Sequence, residues 1–104
     1  MSMEKLTKEN FVTETGSGLY AVDFYADWCG PCKTIGPVFE ELSAQYDGKI
    51  KFGKINIDEQ RDLAVEYKVM SIPTLLFMKD GKEEDRIIGV VDTTALKEKL
   101  DALL

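Results

Sequence analysis

The sequence predicts an α/β protein, a mixed sheet covered on both sides by helices, and three observations carry that prediction. The run Leu19-Tyr20-Ala21-Val22-Asp23-Phe24-Tyr25-Ala26 is almost continuously apolar, as a strand buried on both faces requires. Directly after it the apolar residues change to helical spacing. Near the C-terminus, two strand-like runs flank Lys79-Asp80-Gly81-Lys82, which reads as a hairpin turn. The predicted order is βαβαβα followed by a hairpin and a helix.

Thr7 is placed to cap a short helix over Lys8–Thr13 with Phe11 and Val12 facing inward, and Gly16-Ser17-Gly18 ends it. Leu19–Ala26 is the central strand. Beyond Pro31, Ile35, Val38, Phe39, Leu42 and Tyr46 recur at helical spacing, and Gly48 stands where a left-handed terminal residue is wanted. Pro37, inside this helix, removes one backbone bond at a cost of about 3 kcal/mol, offset by packing. Lys49–Ile57 reads as the next strand, with Ile50, Phe52, Ile55 and Ile57 apolar. Asp58 is placed to cap a helix carrying Leu63, Ala64 and Tyr67. Thr74–Met78 is a strand, the turn follows, and the last strand is expected near Asp85–Val90. Asp92 or Thr93 caps a final helix with Leu96, Leu100 and Leu103 on one face. Phe24, Phe39, Phe52, Phe77 and the helix leucines are expected in the core.

With 104 residues, no repeat and no linker-like tract, the chain is expected to form one domain over 1–104. Hydrophobic content of 44% with 31% charged residues argues against disorder. The longest apolar stretches fall far short of the roughly 20 residues that span a bilayer. The N-terminal Met1–Glu9 mixes both charges without an apolar h-region, so no secretory signal is expected, and a cytoplasmic location follows. A net charge of −6 argues against nucleic-acid phosphate as a ligand. No membrane association is expected, and a monomer is, because no large apolar surface is left uncovered.

Cys29 and Cys32 are the only cysteines, set as Trp28-Cys29-Gly30-Pro31-Cys32 between the central strand and the helix that follows it. A structural zinc site takes about four N or S ligands, and two cysteines with no histidine cannot supply them, so no metal is expected. Covalent haem would need histidine where Lys33 stands. An iron–sulfur cluster would need thiolates from a second chain. A bridge closing so small a loop has little entropic value for stability. Reversible dithiol–disulfide exchange is the chemistry left, and in a reducing compartment the pair reads as catalytic. Cys29 precedes the helix, so unpaired backbone N–H groups and the positive end of the helix dipole lower its pKa. Pro31 suits the first turn, where its missing N–H costs little. Cys29 is therefore assigned as nucleophile and Cys32, expected to be the less exposed, as resolving thiol.

Asp23 is the one charge in the central strand. Desolvation should raise its pKa into the range of a general acid or base, but a carboxylate that reaches solvent or is salt-bridged fits the pattern equally well.

Val22-Asp23-Phe24-Tyr25-Ala26-Asp27-Trp28-Cys29-Gly30-Pro31-Cys32-Lys33 resembles the active-site segment of the thioredoxin family. Lys54-Ile55-Asn56-Ile57-Asp58, Ser71-Ile72-Pro73-Thr74, Gly81 and Gly89 match its other signatures, so the resemblance spans the full chain. Tyr25 stands where many bacterial members have Trp, a change that aromatic packing tolerates. The resemblance implies the thioredoxin fold, a single mixed five-stranded sheet of order βαβαβαββα flanked by four helices on both faces. It implies a general protein disulfide reductase that binds no cofactor of its own. Electrons would come from NADPH through a flavin-containing thioredoxin reductase. Clients would include ribonucleotide reductase, peroxiredoxins and methionine sulfoxide reductases. It favours a functional Asp23, taking the proton of Cys32 through water, with Lys54 near that carboxylate; by pattern alone Lys54 is an ordinary solvated strand lysine. X–Pro bonds in folded proteins are cis in only about 5–6% of cases, so the cis bond expected at Pro73 also rests on the resemblance. If the strand after Pro73 runs antiparallel to Leu19–Ala26, Pro73 lies beside Cys29. The Ile72 backbone could then pair with an extended client segment. Trp28, Gly30, Pro31, Ile72, Pro73, Gly89 and Val90 would form the docking patch around Cys29.

Two other functions compete. An oxidant or isomerase could use the same fold, but Gly30-Pro31 places no histidine between the cysteines to raise the potential. A binding module could lend its surface to a partner enzyme with incidental thiols. Replacing both cysteines by serine separates that case from catalysis.

Overall fold

The structure, a computed structural model, describes residues 3–104; Met1 and Ser2 of the N-terminal stretch lie outside the described residues. Among the described residues the chain forms β1 (Glu4–Lys5), α1 (Phe11–Thr15), β2 (Leu19–Tyr25), α2 (Gly30–Gln45), β3 (Lys51–Asn56), α3 (Arg61–Glu66), β4 (Thr74–Lys79), β5 (Lys82–Ile88) and α4 (Thr93–Leu103). The five strands form one mixed sheet in the order β1-β3-β2-β4-β5. β2 pairs parallel with β3 and antiparallel with β4, so its apolar run lies at the centre, with its backbone groups paired on both edges.

Alternation along the strands divides the core in two. Ala21, Leu75 and Phe77 face α2 and α4, where they pack with Ile35, Phe39, Leu42, Leu96 and Leu100. Tyr20, Val22, Phe24, Leu76 and Met78 face the other side, with Phe11 of α1, Leu63 of α3 and Leu6. The two layers share β2 and β4, and the cysteines lie at the C-terminal end of β2.

Several boundaries depart from expectation, each for a local reason. Thr7 and Asn10 exchange hydrogen bonds (the Thr7 N–H donates to Asn10 Oδ1 at 2.7 Å, the Asn10 N–H to Thr7 Oγ1 at 3.3 Å), so a turn precedes α1 and the helix starts at Phe11. In that frame the buried partner of Phe11 is Thr15, four residues on, and Val12 is 78% exposed instead of facing inward. Asp58 does not cap α3. The Asn56 Oδ1 accepts the N–H groups of Asp58 and Glu59 at 2.9 and 3.3 Å, and the helix begins only at Arg61. No pattern marked β1, which is two exposed residues held by parallel pairing with β3. β5 starts at Lys82, earlier than expected, because its first half is the charged run Lys82-Glu83-Glu84-Asp85. Charge there suits an exposed sheet edge, which must not template further strands, but it erases the alternation that betrays a strand.

The turn between β4 and β5 is as expected. Asp80 and Gly81 adopt φ of 50° and 83°, the paired positive values of a two-residue hairpin that accepts Asp-Gly readily. At α4 the choice of cap falls to Asp92, whose Oδ1 accepts the Ala95 N–H at 2.8 Å.

Candidate active site

Cys29 is the N-cap of α2. Its backbone is extended, with φ −91° and ψ 111°, and its Sγ accepts the Cys32 N–H at 3.1 Å. A sulfur thus takes the place that a serine or aspartate oxygen usually fills at a helix start, facing unpaired N–H groups and the positive end of the dipole. Gly30 and Pro31 occupy the first turn, where proline removes a donor that would have no helical partner. The next turn carries Cys32 back towards Cys29: their Cα atoms are 5.3 Å apart and the sulfurs are joined as a disulfide.

Burial does not separate the two sulfurs as expected. Cys29 is 4% exposed and Cys32 5%. Bonded to each other, they shield one another and pack with Ala26, Tyr25, Ile57 and Ile72. Their asymmetry lies in the backbone: the Cys32 N–H reaches Cys29 Sγ, while Cys32 sits a turn further into the helix.

The Ile72–Pro73 bond is cis. The Ile72 carbonyl oxygen lies 3.9 Å from Cys29 Sγ, so the segment before β4 reaches the sulfur that caps α2. Register explains the meeting: antiparallel pairing puts Thr74 opposite Phe24, setting the start of β4 beside the end of β2. Gly89 then closes on Pro73, its N–H donating to the Pro73 carbonyl at 2.8 Å, with φ of 94°, a value glycine adopts freely. Val90, half exposed, follows it. Trp28 is 69% exposed beside the cysteines, yet its ring is held: Nε1 donates to Asp58 Oδ2 at 2.8 Å. No local pattern marks that contact. The two residues are 30 positions apart, and Asp58 reads locally as a helix cap.

Asp23 is buried, and its Oδ1 has no hydrogen-bond partner. It lies opposite Lys54 in the parallel pairing of β2 with β3 and opposite Leu75 of β4, on the strand face that carries Ala21 towards α2. Burial pushes its carboxyl up to about 7, against the opposing pull of the Lys54 charge. Lys54 is half-buried and forms no direct ion pair with Asp23 among the described residues; its Nζ sits 5.8 Å from the centroid of the Tyr25 ring. The cation therefore lowers the carboxyl only from a distance, and desolvation dominates.

Among the described residues no group of three or more His, Cys, Asp or Glu could hold a metal ion, and no helix is long and apolar enough to cross a membrane. A cavity of about 510 Å³ opens at the other end of the sheet, lined by Gly18, Leu19, Asp47 and Lys51 among others; none of the residues around the cysteines lines it. Around the sulfurs three chain segments meet instead: the start of α2, the residues before β4 and Gly89 after β5.

The thioredoxin family model matches residues 2–102. The thioredoxins of Staphylococcus aureus strains Mu50, MW2 and N315 are each 46% identical over 101 residues, covering 97% of this chain and 97% of the relative. A helix start that carries two cysteines joined as a disulfide suits a dithiol–disulfide couple, and with likeness of this extent the chain belongs to the thioredoxin family of protein disulfide oxidoreductases.

Proposed function

We propose that the protein is a general reductant of client protein disulfides, with Cys29 as nucleophile. The observation that carries this reading is the Cys32 N–H aimed at Cys29 Sγ from 3.1 Å at the start of α2. That donor and the helix dipole favour the thiolate over the thiol, the form that attacks. In the reduced protein the Cys29 thiolate attacks one client sulfur, the second client sulfur leaves as thiolate, and a mixed disulfide forms. Cys32 then loses its proton and attacks Cys29 Sγ; the client departs as a dithiol and the Cys29–Cys32 disulfide remains. Asp23 takes the Cys32 proton, through water; a carboxyl held near 7 by burial can do so at neutral pH. Lys54 assists by keeping that carboxyl from rising further.

Trp28, Gly30, Pro31, Ile72, Gly89 and Val90 form the client surface, and Pro73, expected in it, is buried beneath. Pro73 has no N–H, which leaves the Ile72 backbone as the pairing edge for an extended client segment. With Cys29 only 4% exposed and Cys32 5%, attack requires a client segment that lies flat in this groove and brings its own sulfur to Cys29. The recharging electrons come from NADPH through a flavin-containing thioredoxin reductase, in the cytoplasm. Ribonucleotide reductase, peroxiredoxins and methionine sulfoxide reductases are the clients that family membership favours.

Cys32→Ser should accumulate a covalent complex with a disulfide-bonded client, seen as a higher-mass band on non-reducing electrophoresis that dithiothreitol removes. Cys29→Ser should form none and reduce nothing. A Cys29→Ser protein that reduces insulin at the parent rate would overturn the assignment.

A further inference from the structure

Met70 stands apart from the other methionines of the described residues. Met78 is fully buried in β4 and Met3 is half-buried against the α2–α4 core, whereas Met70 is 92% exposed. It lies on an irregular segment fixed on both sides: Val69 and Ile72 pack against the core, and Ile72 also packs against the cysteines. The backbone that carries Met70 is thus anchored on both sides, not part of a loose loop. Met70 stands two positions before Ile72, with Ser71 between them, a span of at most about 7 Å between Cα atoms. The Ile72 carbonyl lies 3.9 Å from Cys29 Sγ. A client segment paired with the Ile72 backbone therefore meets the protein within two residues of Met70.

We propose that Met70 is an oxidation site whose conversion to sulfoxide weakens docking of protein disulfides; this rests on the client groove described above. The oxidant is a hydroperoxide. With hydrogen peroxide, one oxygen passes to the Met70 sulfur, the O–O bond breaks, the S=O bond forms, and the other oxygen leaves as water. The thioether loses two electrons, which the peroxide gains. An apolar, flexible contact becomes polar and chiral, and burying it against an apolar client segment then costs desolvation of the S=O group. The disulfide form, with both cysteines bonded and buried, is protected from the same reagent. The modification would therefore fall on the protein just when peroxide has already drawn electrons from it.

The test treats the disulfide form with hydrogen peroxide and maps the added oxygen by fragmentation of the peptide spanning 69–79, which contains both Met70 and Met78. It then measures insulin reduction and reduction of a small aromatic disulfide, with dithiothreitol as electron source. Oxygen should appear on Met70 before Met78. KM for insulin should rise roughly threefold to tenfold, while kcat and the small-disulfide rate hold. The variant Met70→Leu, compared with its own untreated sample, should show no peroxide effect on KM. Oxygen entering Met78 or Met3 first, an unchanged KM for insulin, or an equal loss with the small disulfide overturns the proposal. So does a Met70→Leu protein that responds to peroxide as the parent does. Untreated protein that fails to reduce insulin overturns the client reading, and the proposal with it; normal untreated activity with an unresponsive KM overturns the proposal alone.

Discussion

At Asp23 the burial of one carboxyl has a thermodynamic consequence, and the proton-transfer role proposed for it rests on the same burial. Its folded pKa is raised from 3.8 to about 7, chiefly by desolvation. Between those values the folded protein keeps a proton that the unfolded chain has released. Stability therefore falls as pH rises through this window and is level above it. A shift of that size is worth on the order of 4 kcal/mol once the group is fully ionised. Asp23→Asn should accordingly be more stable than the parent near pH 8 by up to that amount, with the gap closing as pH falls towards 4, as read from guanidinium unfolding at the two pH values. The same substitution should slow release of the client from the mixed disulfide at neutral pH and remove a titration near 7 from the pH–rate profile. An unchanged profile would leave Asp23 a structural burden alone. At this scale the sequence was informative where the signal was local: a lone charge in an apolar strand and a Cys-x-x-Cys after it are visible in one window. The Trp28–Asp58 hydrogen bond was not, because it joins segments whose separation in the chain gives no cue to their approach, and Lys54 was placed near Asp23 by the family resemblance alone.

Among the elements, legibility followed burial. β2, β4 and α4 were plain because a buried face must repeat at the period of its element, and their leucines and aromatics do so. β5 was half hidden, since an edge strand meets water along most of its length and is held instead by polar ties. Arg86 Nη2 donates to the Tyr67 carbonyl at the end of α3, and Lys99 of α4 pairs with Asp85. Helix starts depended on side-chain competition. Asn10 and Asn56 each took backbone donors ahead of the expected first turn, and delayed α1 and α3. Asp92 met no such rival and caps α4 directly. Asp92→Ala should lower stability by about 1 kcal/mol, seen as a reduced urea midpoint with an unchanged slope. Insulin reduction by the folded variant should be unaltered, because α4 contributes nothing to the surface around Cys29.

For the whole molecule, the decisive fact is that both core layers are built on the same strands. Tyr20 and Ala21 are adjacent in β2 but serve opposite layers, as do Leu76 and Phe77 in β4. Neither layer can lose its packing while the other keeps an intact sheet. Thermal unfolding should therefore be a single transition, with far-ultraviolet and near-ultraviolet circular dichroism falling at one midpoint; separated midpoints would show that the layers melt independently. The shared sheet also assembles the site. Parallel pairing with β3 and antiparallel pairing with β4 bring the end of β2, the segment before β4 and the residues after β5 to one pole. The sequence by itself determined the longer buried elements, the central strand and the redox pair at a helix start, because propensity, periodicity and capping act within a few residues along the chain. Only the tertiary structure decided that both sulfurs are covered, that Ile72 and Gly89 close around them, that Asp58 holds Trp28, and that Asp23 is left without a partner. Those outcomes depend on strand order and register, which arise when distant segments bury their apolar faces together.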